Sequence, residues 1–265
     1  MRRLAGVALG VLFTVAGMAS PVRAATYPDG AVTLRYAVYL HGFHVVDVHT
    51  GYTVNAAAYD VRTTLQTDGI WAVFLKMNIT STGTGRFAGD AVAPTLFQSD
   101  GFSRGHDRHL TIRYADGTPS VAVLDPPETD RVPVEADQRA GSIDTLSAMM
   151  LMLGTLDRTG QCDGSAKVFD GLRLITMSSH SAGKQALPPD RRLSFTGDAV
   201  RCDFVGQQVA GFVRNSRHEA QMRKPQPGSV WFQNLQGYGM VAVRIELNHP
   251  KIGKLTVLLA EPPGH

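Results

Sequence analysis

The sequence predicts a mainly β fold: a single antiparallel curled sheet or half-open barrel, with one buried helix near 144–157. Three observations lead there. Period-two hydrophobic alternation recurs along most of the 265 residues, as in strands with one buried face. Turn signals such as Asp116-Gly117 and Asp170-Gly171 lie between or within these runs, with no regular helices in between, which favours antiparallel pairing over a βαβ order. One segment alone, from Asp144 onward, changes to helical spacing.

The alternation is plain at Val32, Leu34, Tyr36, Val38 and Leu40, opposite Thr33, Arg35 and Tyr39. Trp71, Val73, Leu75, Met77 and Ile79 repeat it. So do Val241, Val243, Ile245 and Leu247, and then, after a turn at 248–253, Leu255, Val257 and Leu259. Further strands are expected near 43–66, 94–102, 107–115, 120–124, 166–178, 199–206, 208–215 and 228–235. In the helical segment, Leu146, Met149, Met150, Leu153 and Leu156 share one face. Asp144 or Ser142 suits the N-cap, and Gly154 or Gly160 the terminator. The segment is apolar nearly all round, so it is buried. Its methionine stripe reads as core packing, with a lipid contact as the alternative. The polar stretches Asp125–Gly141 and Ala182–Arg192 read as loops. No internal repeat or boundary divides residues 25–265, which are expected to form a single β-rich domain.

The first 24 residues are set apart. Arg2 and Arg3 precede an apolar run from Leu4 to Met18, and Val22-Arg23-Ala24 offers small residues for cleavage between Ala24 and Ala25. This is the layout of a secretory signal peptide, and the run is short for a bilayer span. An exported protein with no integral membrane segment after signal removal is expected, placed in the periplasm. Arg2, Arg3 and Arg23 also account for the formal charge of +3, because the remaining 23 basic residues match the 23 acidic ones. The overall charge therefore gives no case for a nucleic-acid binder. In an oxidising compartment Cys162 and Cys202 are expected to pair, closing a loop worth about 4 kcal/mol in the chain-entropy model.

Three motifs invite chemistry. Gly101-Phe102-Ser103-Arg104-Gly105 has the form of a nucleophile elbow, but that device needs a helix directly after the serine. The residues after it alternate like a strand. Gly83-Thr84-Gly85-Arg86-Phe87-Ala88 loosely matches a dinucleotide fingerprint, yet no helix follows to receive a pyrophosphate, and a hairpin turn is the expected reading. His41, His44 and His49 cluster, as do His106 and His109. Residues three apart on a strand point to opposite faces, so neither His41/His44 nor His106/His109 suits a metal. No catalytic, metal or cofactor residues are assigned.

An ordered series of short motifs runs through the chain. It includes Tyr36-x-x-Tyr39-x-x-Gly42, Ser81-x-Gly83, Tyr114-x-Asp116-Gly117, and Pro126-Pro127-Glu128-x-Asp130-Arg131-x-Pro133-Val134. Asp144-x-Leu146-Ser147-Ala148, Cys162, Val168-Phe169-Asp170-Gly171-x-Arg173, Cys202 and Gly211-Phe212 complete it. In this order the sequence resembles the proteobacterial domain-of-unknown-function family 3108 (DUF3108) over nearly all of the mature chain. The resemblance implies a periplasmic protein of antiparallel strands curled around a helix, similar in kind to envelope lipoprotein-carrier folds. It supplies no catalytic residues. Members often read Asp-Pro-Leu at the helix start, where this chain has Thr145; threonine is compatible with a first helical turn.

The expected role is non-enzymatic: binding an apolar or amphipathic envelope component, or scaffolding the cell envelope. Two alternatives stand beside it, a periplasmic hydrolase using Ser103 or a histidine pair, and a module that docks to another envelope protein through a sheet edge.

Overall fold

Alternation builds the sheet. The computed structural model describes residues 31–67, 76–103, 105–191 and 194–260. Seven strands come first: β1 (Ala31–Leu40), β2 (Phe43–Val54), β3 (Ala58–Thr67), β4 (Asn78–Ala88), β5 (Ala91–Ser103), β6 (His106–Ala115) and β7 (Thr118–Asp125). Two helices follow, α1 (Ala136–Arg139) and α2 (Thr145–Thr159). The second half holds β8 (Gly164–Phe169), β9 (Leu174–Leu187), β10 (Gly197–Ala210), the short α3 (Glu219–Met222), β11 (Gln226–Leu235), β12 (Gly239–His249) and β13 (Gly253–Leu259).

All thirteen strands join one antiparallel sheet, in the order β7-β6-β5-β4-β3-β2-β1-β13-β12-β11-β10-β9-β8. It curls into a nearly closed barrel whose seam lies between β7 and β8. Residues 126–143 span that seam. The Gly141 N–H donates to the Gly117 carbonyl on one side. On the other, Ile143 exchanges backbone bonds with Lys167 and Phe169, and the Lys167 ammonium reaches the Ala140 carbonyl at 2.6 Å. Both free edges are thereby partly covered, which limits strand-to-strand association.

Register follows the alternation. Val32 faces Tyr52, Tyr52 faces Val61, and Val61 faces Gly83, so one inward row crosses four strands. Val32, Val61 and Ile112 are at most 2% exposed. Asp144 caps α2 by accepting from the backbone N–H groups of Leu146 and Ser147, and Gly160 ends it with φ of 70°. A left-handed C-terminal residue of this kind strongly favours glycine.

Several boundaries differ from expectation. The run 43–66 is two strands, divided where the Asn55 side chain accepts from the N–H groups of Ala57 and Ala58. Asp170-Gly171 likewise divides 166–178 into β8 and β9. The expected strands 199–206 and 208–215 form the single strand β10, ending before Gly211. Residues 182–187 are not loop: β9 continues through them, paired with β10 as far as Leu187, which is buried. The Asp125–Gly141 stretch contains α1. Gly83-Thr84-Gly85 lies inside β4 rather than in a turn. Residues 71–75 of the expected Trp71–Ile79 strand, like the cleavage point Ala24/Ala25, lie outside the described residues.

Candidate functional site

A helix can enter a barrel only where the wall leaves room. Gly83 and Gly85 leave it on β4. A Cβ at Gly83 would stand 3.1 Å from the Leu146 Cβ, and one at Gly85 would stand 2.3 Å from the Tyr59 hydroxyl oxygen. The first turn of α2 is seated there by a buried polar chain. The Tyr59 hydroxyl donates to Ser147 Oγ at 2.8 Å. The Ser147 hydroxyl donates to Asp144 Oδ2 at 2.6 Å, and the Tyr114 hydroxyl reaches the same oxygen at 3.2 Å. Burial raises the Asp144 carboxyl above its ordinary range, while donations from Ser147 and Tyr114 oppose the rise. Burial pushes the Tyr59 phenol up to about 12, with the Ser147 bond opposing and the Asp144 charge adding to it.

The far end of the helix is tied covalently. Cys162, just past Gly160, bonds to Cys202 in β10, with sulfurs 2.04 Å apart and Cα atoms 6.1 Å apart. Both cysteines are buried. The expected disulfide is present, and it fastens the helix exit to the wall as well as joining two strand regions.

Between these two anchors the helix packs on β4 along one face, where a Cβ on Gly154 would stand 3.0 Å from the Phe87 ring, and leaves a space along the other. The space is a cavity of about 460 Å³, bounded by α2 on one side and by residues of β1–β3 and β8–β13 on the other. Met149, Met152 and Leu153 face it from the helix, and Leu34, Val230 and Phe232 from the sheet. Met150 turns elsewhere, into the core, at 1% exposure. The methionine stripe thus divides between core packing and cavity lining. Thioether chains suit such a wall, being unbranched and adaptable.

Apart from Asp163, the polar groups in the wall are uncharged hydroxyls of threonine, serine and tyrosine. Thr50 and Thr63 bond to each other at 3.2 Å. Burial pushes the Tyr52 phenol up to about 12 and raises the Tyr36 phenol further, so both stay neutral at ordinary pH. Asp163 lies at the margin and is exposed; the Ser181 hydroxyl holds its carboxyl below the ordinary value. A wall of this kind excludes charge and accepts apolar matter.

Ser103 is elsewhere, at the end of β5, 8% exposed, and followed by β6 rather than by a helix. The strained strand-to-helix turn of a nucleophile elbow is therefore missing. A carboxylate–imidazole pair does exist nearby, His109 Nδ1 to Asp100 Oδ1 at 2.8 Å. Asp100 and Ser103 are three apart on one strand, so they point to opposite faces. The exposed pair and the buried serine do not meet. His41 occupies the β1–β2 turn, with φ of 50°, and His44 contacts Asp47 at 3.3 Å. Among the described residues, no three His, Cys, Asp or Glu side chains are placed to hold a metal ion, and no helix is long and apolar enough to cross a membrane.

The model of a family described as "Protein of unknown function (DUF3108)" matches residues 35–259. The chain belongs to the DUF3108 family. The match spans both the strands and the helix, so the DUF3108 unit contains both walls of the cavity. Curated proteins give no match. Among solved structures, the chain is similar to a beta-barrel-like protein of the DUF1849 family from Brucella abortus. That similarity has a TM-score of 0.45 and 10% identity, and covers 87% of this chain and 95% of the other.

Proposed function

We propose that this DUF3108 protein is exported to the periplasm and binds the apolar part of an amphipathic envelope component between α2 and the barrel wall. The observation that carries the reading is the cavity of about 460 Å³ with a wall of methionine, leucine, valine and aromatic side chains. An apolar cavity of roughly 150 Å³ holds one benzene ring. By that scale this one has room for roughly eighteen carbons, the size of a single long acyl chain. Neutral threonine and tyrosine groups in the wall suit a chain whose charged head remains at the margin. Export is supported by the signal-like first 24 residues and by a disulfide of the kind that persists in oxidising compartments. Residues 25–265 are then the mature chain, one domain.

Native mass spectrometry of protein recovered from the exported fraction tests this directly. The expected result is a species beginning at Ala25 that releases a lipid or other long-chain amphiphile on organic extraction. Delipidated protein should take up N-phenyl-1-naphthylamine, and Met149→Trp, which fills the space, should take up less. Protein that carries no amphiphile and does not enhance the fluorescence of the probe would remove the reading.

A further inference from the structure

A balanced composition conceals a concentration of positive charge on the β10–β13 side of one end of the barrel, whose β5–β7 side carries the exposed carboxylates Asp107 and Asp125. The Leu40↔Leu255 pairing brings the β1–β2 and β12–β13 turns to the same end. A Cβ on Gly253 would lie 2.9 Å from the His41 ring. The β10–β11 connection joins them, since the Gln221 side chain donates to the Pro250 carbonyl. Across 211–226 and 249–254 the exposed cations are Arg214, Arg217, Arg223, Lys224, Lys251 and Lys254, and Glu219 is the one carboxylate in those segments. Arg223 pairs with Glu219, and Lys254 with Glu246 of β12. Arg214 bonds to the Thr129 carbonyl. Arg217, Lys224 and Lys251 have no carboxylate partner among the described residues. Burial, then the charges of Arg173 and Lys251, hold the His249 imidazole below its ordinary range.

Two large apolar side chains project from the same end. Ile252 is 43% exposed between Lys251 and Lys254, and Phe43, which opens β2 just after the neighbouring turn, is 64% exposed. A lone exposed apolar residue is ordinary, and a basic patch alone would suit any polyanion. Apolar tips on tight turns among unpaired cations are the combination that interfacial binding uses.

We propose that the β10–β13 side of this end docks on an anionic lipid surface, with Phe43 and Ile252 entering the headgroup layer and the surrounding cations facing the phosphates. A nucleic acid would satisfy the cations but offers no apolar phase for the two tips. The docking surface is independent of the cavity and stands or falls without it.

The test is co-sedimentation of the exported protein with phosphatidylcholine vesicles, with and without phosphatidylglycerol, at low and at physiological salt. Binding is expected only where phosphatidylglycerol is present and should weaken with salt. Lys224→Gln with Lys251→Gln should lower partitioning roughly 30-fold, at about fivefold per cation near an anionic surface. Phe43→Ser with Ile252→Ser should lower it while leaving the salt dependence unchanged. All four side chains are exposed, so both variants should melt like the wild type. Failure to bind phosphatidylglycerol vesicles, equal binding to both vesicle types, or variants that bind like the parent would overturn the proposal. Retention by single-stranded DNA without vesicle binding would overturn it too.

Discussion

Asp144 is 0% exposed and accepts four hydrogen bonds, two from the backbone and two from hydroxyls. Asp144→Ala removes every acceptor at once. Loss of an N-cap costs about 1 kcal/mol, and a buried hydroxyl left without its acceptor adds about 1–3 kcal/mol. The Ser147 hydroxyl meets that condition, being fully buried, whereas Tyr114 is only partly buried and adds least. The sum is about 3 kcal/mol, which for a chain of this size lowers the melting temperature by roughly 6–12 °C. Asp144→Asn separates charge from bonding. Its carbonyl can still accept from Leu146 and Ser147, while its amide donates to hydroxyls able to accept, so the expected loss is about 1 kcal/mol, or roughly 2–4 °C. The carboxyl is raised in the native state, so the native protein holds this proton more tightly than the unfolded chain. Its contribution is complete below the ordinary carboxylate range and is lost as pH rises through the raised value. The Asn variant lacks that titration, and its deficit should be largest in acid and narrow as pH rises. Thermal melts by far-UV circular dichroism across that range supply the measurement. Equal losses for Ala and Asn would show that these oxygens do not hold the helix.

Two further outcomes are expected. Cys162→Ala with Cys202→Ala opens a link spanning 40 positions and should cost about 3 kcal/mol, roughly 6–12 °C, without abolishing folding; thiol labelling of denatured, unreduced parent protein should find no free thiol. Gly83→Val places a branched side chain where even a Cβ comes within 3.1 Å of Leu146, so urea titration should show a loss of about 1–3 kcal/mol together with weaker naphthylamine uptake.

The barrel was legible because alternation is a local signal. Val32 to Leu40 and Val241 to Leu247 state their buried face within ten residues. The helix was legible for the same reason, with Asp144 one of the two caps that the pattern offered and the one that the structure uses. Gly83 and Gly85 were misread because their cause is remote: they clear space for Leu146 and Tyr59, and Leu146 lies more than sixty positions away. Two glycines one residue apart, without that partner, look like a turn. Residues 182–187 were misread because Ala182 to Ala186 are exposed and show no apolar alternation, so the strand is held there by backbone pairing with β10. The methionine stripe marked the helix as buried but could not tell Met150, in the core, from Met149, at the cavity. That distinction depends on how far α2 stands from the wall. The charged end was invisible for a similar reason, since Lys224 and Lys251 come together only through the β11–β12 hairpin.

The order of strands has a consequence for assembly. Each half of the chain is a meander whose strands pair with their immediate neighbours, seven in the first and six in the second. Among the described residues, only β1 and β13 pair across the full length of the fold, and the Ala260 N–H extends their contact to the Arg35 carbonyl. The first and last strands are therefore a clasp in the middle of the wall, while the natural opening of the barrel lies midway along the chain, at 126–143. Closing a long loop costs only logarithmically more than closing a short one, so two locally grown halves can meet there late. A circular permutant joined across the clasp and reopened within 126–143 would be one uninterrupted meander, its new ends lying on either side of the seam.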